Sequence, residues 1–311
     1  VGINGGRGVF KEYFLWLLKT VTFFVILSIS FVMVIAILIN IANSPEVLST
    51  VQDKGKTVAV LEVSGPIMDT KDVVSDLYKY VFDDSVVGVV LRVDSPGGAV
   101  GPSQELYQAV RKLKEYKPIV ASMGTVAASG GLYVALGASK VFANPGTVTG
   151  SIGVIMQFPN FQKVADKLGV DMITIKSGQL KDVGNPFREM SQEDRKFLQD
   201  TIDGAQSQFV NAVVEGRSLA EEEVRRFADG RIVTGIKALE LGLVDEMGGL
   251  QDAARAVFTI LGTPLKDDEA PKLIYPGDKL GRFRELLAYV GLADLKGGLG
   301  RYLNGGLFAI Q

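Results

Sequence analysis

The serine in Thr125-Val126-Ala127-Ala128-Ser129-Gly130-Gly131 stands among residues too small to shield it. Alanines before it and glycines after it would let a carbonyl group reach the hydroxyl. The amide that follows could donate to an oxyanion at a helix N-terminus. The same pattern equally describes a serine that only caps a helix in a tight turn. A second turn, Asp94-Ser95-Pro96-Gly97-Gly98, ends an apolar run and opens a helical one, so its glycine amides could form an anion-binding nest. Either turn alone is commonplace. Together they offer what a tetrahedral intermediate needs, namely amides from two separate turns.

A serine nucleophile requires a base, and composition narrows the choice. The 311 residues include no histidine and no cysteine. That excludes a Ser-His-Asp triad, a Cys-His pair, His-based zinc sites and any disulfide framework. Lysine, aspartate and glutamate remain. An ordinary lysine titrates near 10.4, so only about 0.04% is neutral at pH 7; burial that brought it to about 7.5 would leave roughly a quarter neutral. Lysine is therefore a useful base only when desolvated beside its nucleophile. Lys181, in Lys176-Ser177-Gly178-Gln179-Leu180-Lys181-Asp182, is one candidate, and Lys176 is its rival in the strand-like run before the turn. On composition alone each is as well read as a solvated surface lysine.

These residues must be positioned by regular elements. Thr57–Val63 and Val86–Val93 are β-rich runs, with a helical spacing over Asp72–Phe82 between them. A helix over Pro102–Tyr116, a strand at Ile119–Ser122, a small-residue helix over Ala128–Ala138 and a strand from Lys140 to Phe142 follow. Further short strands are expected near Gly153–Met156 and Met172–Lys176. A long helix then starts near Ser191, whose Ser-x-x-Asp resembles a capping box. Glu221–Ala228 reads as a short helix, and Ala238–Val244 runs from helix to strand. Alternating strands and helices indicate βαβ units and an α/β fold.

One segment is not soluble protein. Thr20 to Pro45 carries no charge, and the nineteen residues Val21–Ile39 would span roughly 28 Å as a helix, close to a bilayer core. The apolar region of a cleaved signal peptide is shorter, about 7–15 residues, and no good cleavage site follows. Residues 20–42 are therefore expected to be a retained transmembrane anchor. Arg7, Lys11 and Lys19 precede it with only Glu12 opposing, which favours a cytoplasmic N-terminus (residues 1–19) and an extracytoplasmic bulk. Residues 43–56 read as a stalk. In the tail, residues 263–311, prolines interrupt the chain before Leu280, Phe283, Leu286, Leu287 and Val290 fall on one helical face. Lys and Arg total 33 against 35 Asp and Glu, a balance that argues against general nucleic-acid binding.

Several blocks together resemble the bacterial signal peptide peptidase A family in its short form, with one protease domain. They are Asp94-Ser95-Pro96-Gly97-Gly98, Ala127-Ala128-Ser129-Gly130-Gly131, Thr149-Gly150-Ser151-Ile152-Gly153-Val154, Lys176–Asp182, Ala228–Gly235 and Gly242–Gly248. They occur in order within residues 57–262. The resemblance implies a crotonase-like, Clp-protease-like fold and a serine peptidase with a Ser-Lys dyad and no cofactor. Ser129 would be the nucleophile, Lys181 the general base, and Ser151 the group orienting the Lys181 amine. Gly97, Gly98 and Gly130 would supply oxyanion-hole amides, with the donor of the Gly97-Gly98 pair left open. Asp182 would hold the turn, and Asn185-Pro186-Phe187-Arg188 departs from the family's usual Ser-Pro. The resemblance further implies a homo-oligomeric ring or dome on the membrane that cleaves remnant signal peptides and misfolded exported proteins. Two alternatives come with it: a related membrane Ser-Lys protease with one specific protein partner, and a crotonase-type acyl-CoA enzyme.

Overall fold

The structure, a computed structural model, describes residues 6–42 and 57–276, with the side chains of 14–35 and 57–276. These belong to two units, each treated by itself. In the first, helix α1 (Gly6–Ala42) is a single 37-residue helix. Its stretch Phe14–Ile35 has a mean hydropathy of 2.3, and none of it is buried. Twenty-two residues reach roughly 33 Å, long enough to cross a bilayer core, and large apolar side chains are exposed all along the stretch. By length and composition it suits a membrane anchor or a signal sequence. The apolar stretch begins earlier than residue 20, and it accommodates Lys19 near its first third. The expected stalk and the expected helical face at Leu280–Val290 lie outside the described residues.

The second unit is built on a mixed sheet. Strands β1 (Thr57–Ser64), β2 (Gly88–Ser95) and β3 (Ile119–Ala128) lie parallel and adjacent. Connecting them are helices α2 (Lys71–Val81) and α3 (Val100–Leu113). Their sequences are near-continuous apolar runs because both faces are covered. Ala59, Leu61 and Val63 enter one core, while Val58 joins Val90, Val120 and Phe142 in another. The alternation follows from the two-residue period of a strand. Truncating a fully buried Leu61 or Leu91 to alanine should cost about 2–5 kcal/mol.

Strand β3 then forks the sheet. Its first half, Val120–Ser122, pairs with β4 (Lys140–Ala143), which pairs with β7 (Glu246–Met247). Its second half, Val126–Ala128, pairs with β5 (Val148–Gly150), which pairs antiparallel with β6 (Ile232–Thr234). Strand β8 (Lys272–Ile274) adds to β1 on the far edge. The remaining helices are α4 (Gly130–Ala135), α5 (Gln162–Leu168), α6 (Gln192–Arg217), α7 (Glu221–Phe227), α8 (Gly235–Glu240) and α9 (Leu250–Ile260). Helix α9 lies so close to β2 that a Cβ on Gly88 would stand 2.4 Å from Val257 Cγ1.

Three expectations are corrected. The small-residue helix is only α4, because Ala128 is still strand: pairing with three-residue β5 extends β3 six residues beyond Ser122. Residues 153–156 and 172–176 are not strands. The first is an unbroken apolar run and the second alternates from Ile173 to Lys176, but neither finds a ladder partner among the described residues. The strand expected at the end of Ala238–Val244 is displaced to β7. The capping box at Ser191 does form: its hydroxyl accepts from Asp194 N at 3.0 Å, and Asp194 Oδ2 accepts from Ser191 N at 3.0 Å.

Candidate active site

The site lies where β2, β3 and β5 end, at the carboxyl edge of the parallel strands, where open α/β sheets place ligands. After β2, the Ser95 hydroxyl accepts from Gly97 N at 3.1 Å, a short turn closed by a side chain. Asp94 Oδ1 accepts from Val126 N at 3.0 Å and so fastens this turn to β3. Ile67 completes the frame: its amide donates to Gly97 O at 2.9 Å, and its carbonyl accepts from Ala99 N at 2.8 Å. Gly97 has φ +106°, and a Cβ there would meet Gly130 N and Ser129 Cβ, each at 2.8 Å. At Gly98 a Cβ would lie 2.2 Å from Ile67 O. Both positions therefore require glycine, and the first brings the turn directly against Ser129.

Ser129 stands between β3 and α4 with φ 51° and ψ −120°. A non-glycine residue in such a region costs about 1–3 kcal/mol and persists only where its surroundings over-determine it. They do so here. Ala128 pairs with Gly150, Ser129 N donates to Gly150 O at 2.9 Å, and Ser129 O accepts from Tyr133 N at 2.9 Å. The hydroxyl itself caps nothing, since α4 has no side-chain cap bond. That removes the helix-cap reading. Beside it, a Cβ on Gly130 would lie 2.4 Å from Ser103 Oγ and 3.2 Å from Gly98 N. Among the described residues the amides of Gly98 and Gly130 donate to no acceptor, whereas that of Gly97 is taken by Ser95. Two unused amides thus flank a strained serine, the arrangement that receives a tetrahedral oxyanion.

Ser151 follows Gly150 on β5, one step beyond the pair Ala128–Gly150, so it ends its strand alongside Ser129. It too has positive φ, 52°, with its amide donating to Arg231 O at 2.7 Å. Five of the six expected site residues are therefore gathered at one sheet edge. Lys181 is not joined to them. It is exposed in a turn after Gly178, whose carbonyl accepts its amide at 3.1 Å, and no hydrogen bond or ion pair of its amine occurs among the described residues. Its rival is differently placed: Lys176 Nζ donates to Gln179 O at 2.9 Å and to Asp182 Oδ1 at 2.6 Å.

Asp182 also accepts from Arg188, whose Nε reaches Oδ2 at 2.9 Å and whose second terminal nitrogen reaches Oδ1 at 3.0 Å. The Arg188 guanidinium, then Lys176, hold the Asp182 carboxyl well below the usual carboxylate range. Arg188 likewise brings Asp194 down to about 2, with help from the Ser191 amide. Asp182 does hold the turn. Sequence reasoning passed over Ser95, Ser103 and Ile67, which shape the two glycine turns. The Ser-x-Gly spacing was a usable signal for Ser95; Ser103 and Ile67 act through tertiary contacts that have none.

The comparisons with known proteins place the chain among peptidases. Residues 111–259 match peptidase family S49. The chain is 45% identical over 208 residues to a protein of Synechocystis sp. named as a protease, covering 67% of this chain and 75% of that protein. It is 39% identical over 212 residues to a protein of Enterococcus faecium named as signal peptide peptidase SppA, covering 64% of this chain and 62% of that one. It is 28% identical over 209 residues to the capsid assembly protease C of Escherichia phage lambda, covering 63% and 47%. With its serine at the strand-to-helix turn inside the common region, the chain belongs to peptidase family S49, among relatives that include signal peptide peptidase SppA.

Proposed function

We propose that the protein is a membrane-anchored serine endopeptidase working through a Ser129–Lys181 dyad. The observation that carries this reading is the free Ser129 hydroxyl held at φ 51° between the unused amides of Gly98 and Gly130. In the proposed reaction Ser129 Oγ attacks the scissile carbonyl as its proton passes to Lys181 Nζ. The oxyanion accepts from Gly98 N and Gly130 N, while Gly97 packs against Ser129 and keeps the turn in place. Collapse releases the amine product, which takes the proton back from Lys181. Water, deprotonated by the same amine, then attacks the acyl-enzyme; as the acid product leaves, Lys181 returns that proton to Ser129 Oγ. Ser151 orients the Lys181 amine, the third-group role a dyad still needs. No cofactor enters. Lys181 is favoured over Lys176 because the latter's protons are committed to Asp182 and Gln179.

Lys181 is exposed in the single chain, so the dyad is completed when a neighbouring copy covers this region. The residues before it support such an assembly: Ile155, Ile173 and Ile175 are 80%, 87% and 95% exposed, on apolar stretches with no ladder partner among the described residues. A homo-oligomeric ring of crotonase-like domains (residues 57–262) fits this reading. Helix α1 would anchor it with its N-terminus in the cytoplasm and the catalytic domain outside. The substrates would be peptides, remnant signal peptides and misfolded exported proteins. The test is labelling of the detergent-solubilised protein with a fluorophosphonate. Wild type should label and Ser129→Ala should not; equal labelling of both would remove the proposal.

A further inference from the structure

The turn carrying Lys181 lies in an exposed segment with no strand or long helix of its own, so something else must fix it. Its backbone bonds are local: Lys181 N to Gly178 O, Val183 N to Leu180 O and Asn185 N to Asp182 O, at 3.0–3.2 Å. A longer tie is made by Arg188. Its Nε and second terminal nitrogen grip both Asp182 oxygens, and the latter also donates to the Asp182 carbonyl at 3.2 Å. Its first terminal nitrogen donates to Glu189 O at 3.0 Å and to Asp194 Oδ2. Asp194 is 97% buried at its side chain and is locked into the capping box that starts the 26-residue α6. We infer that Arg188 is a positioning residue for Lys181, clamping the turn that presents the amine onto the capped N-terminus of α6.

This inference rests on the dyad reading and adds to it how the base is held. The planar fork matches the work, because it makes a bidentate bond to one carboxylate while reaching a second. A lysine offers donors from a single point and could keep only part of it. The charged groups around the turn are Asp182, Asp194, Arg188 and Lys176, with Glu193 bound to Gln179 at 2.7 Å. Deleting the arginine charge leaves two carboxylates beside the turn, which favours a protonated amine there. Neutralising Asp182 instead does the opposite.

The experiment uses the full chain in detergent, a fluorogenic peptide, and pH–rate profiles of Arg188→Gln, Arg188→Lys, Asp182→Asn and Lys181→Ala. Folding is followed by circular dichroism. Arg188→Gln is expected to lose about 100-fold in kcat, as a displaced group does, with KM little changed. Its rising limb should move to higher pH, and Arg188→Lys should recover part of both effects. The limb of Asp182→Asn should move to lower pH. If activity merely follows the folded fraction and neither limb moves, the clamp is structural and the inference is wrong. Should Arg188→Gln fail to fold, Arg188→Lys and Asp182→Asn decide by the same displacement of the limb. A Lys181→Ala protein that still turns over would remove the dyad itself. A dead Lys181→Ala with unmoved limbs in the others would remove only this inference.

Discussion

Two regions of the catalytic unit differ in how they are held. The strand ends that carry Ser129, Ser151, Gly97, Gly98 and Gly130 are fixed by the buried sheet, by ladder pairs and by glycines with no room for a Cβ. Residues 154–190 expose most of their large apolar side chains and form a single seven-residue helix, α5. The first region must place amides to within tenths of an ångström around a developing charge, and packing alone achieves that. In the proposed dyad the second would deliver a proton acceptor, which works only when desolvated. Among the described residues the first region is complete, whereas Lys181 is left exposed.

The sharpest way to break this comparison is to remove one member from each region. Ser129→Ala should abolish turnover, a loss near 10⁶-fold in serine proteases, with the melting temperature unchanged. Lys181→Met should lose about as much, because members of one catalytic unit are not additive. Lys176→Ala should stay largely active, since Arg188 continues to hold Asp182. Wild-type activity should rise with pH as the base loses its proton. Rates of these three variants on one fluorogenic peptide check the assignment; an inactive Lys176→Ala beside a near-normal Lys181→Met would reverse it.

The second region can be tested without touching the chemistry. Ile173→Asp with Ile175→Asp places two charges on side chains that are exposed in the single chain, so its fold and melting temperature should hold. Assembly should fail, and with it turnover, to nearly the extent of Lys181→Met. Sedimentation and turnover measured together give the outcome, and an unchanged oligomer with full activity would refute the role given to this face. Ser151→Ala should cost less, about 10–1000-fold, comparable to losing one supporting hydrogen-bond partner. A loss as large as that of Ser129→Ala would instead make Ser151 an essential member of the proton path.

The first region was largely legible in the sequence and the second was not. Strand β1, the helix begun at Ser191 and the two glycine turns follow from apolar runs, a capping box and turn residues. Strands β5, β6 and β8 have three residues each, too few for a period to register, and exist because a neighbouring strand selects them. Gly153–Met156 and Met172–Lys176 failed in the opposite sense. Their apolar residues suit a strand, but a strand is defined by its partner, and none occurs among the described residues. Arg188 sits six residues from both Asp182 and Asp194, a spacing with no local meaning until the turn folds back onto α6. The lone amine of Lys181 has the same character, since its sequence neighbours say nothing about what will cover it.

The smallest expected effect separates a held ion pair from a solvated one. Arg188 brings Asp194 to about 2, and Arg231 brings Asp229 to about 2, both below the ordinary carboxyl value near 3.9. A depressed value in the folded state means stability that is present above the unfolded value and lost as pH falls through the folded one. The difference in melting temperature between wild type and Arg188→Gln should thus be constant above about pH 5, shrink from about pH 4 downward as Asp194 is protonated, and keep a remainder near pH 2 because Arg188 also holds Asp182, which stays ionised to lower pH. Asp229 and Arg231 are both half exposed, so water and salt screen their bond, and Arg231→Gln should show a smaller difference over the same range. Adding salt should erase the second difference before the first. Thermal melts of the three proteins from pH 2 to 7, at low and high ionic strength, provide the measurement. Equal differences for the two variants, or one for Arg188→Gln that does not shrink at all between about pH 4 and 2, would mean that the buried carboxylate of Asp194 is not what Arg188 stabilises.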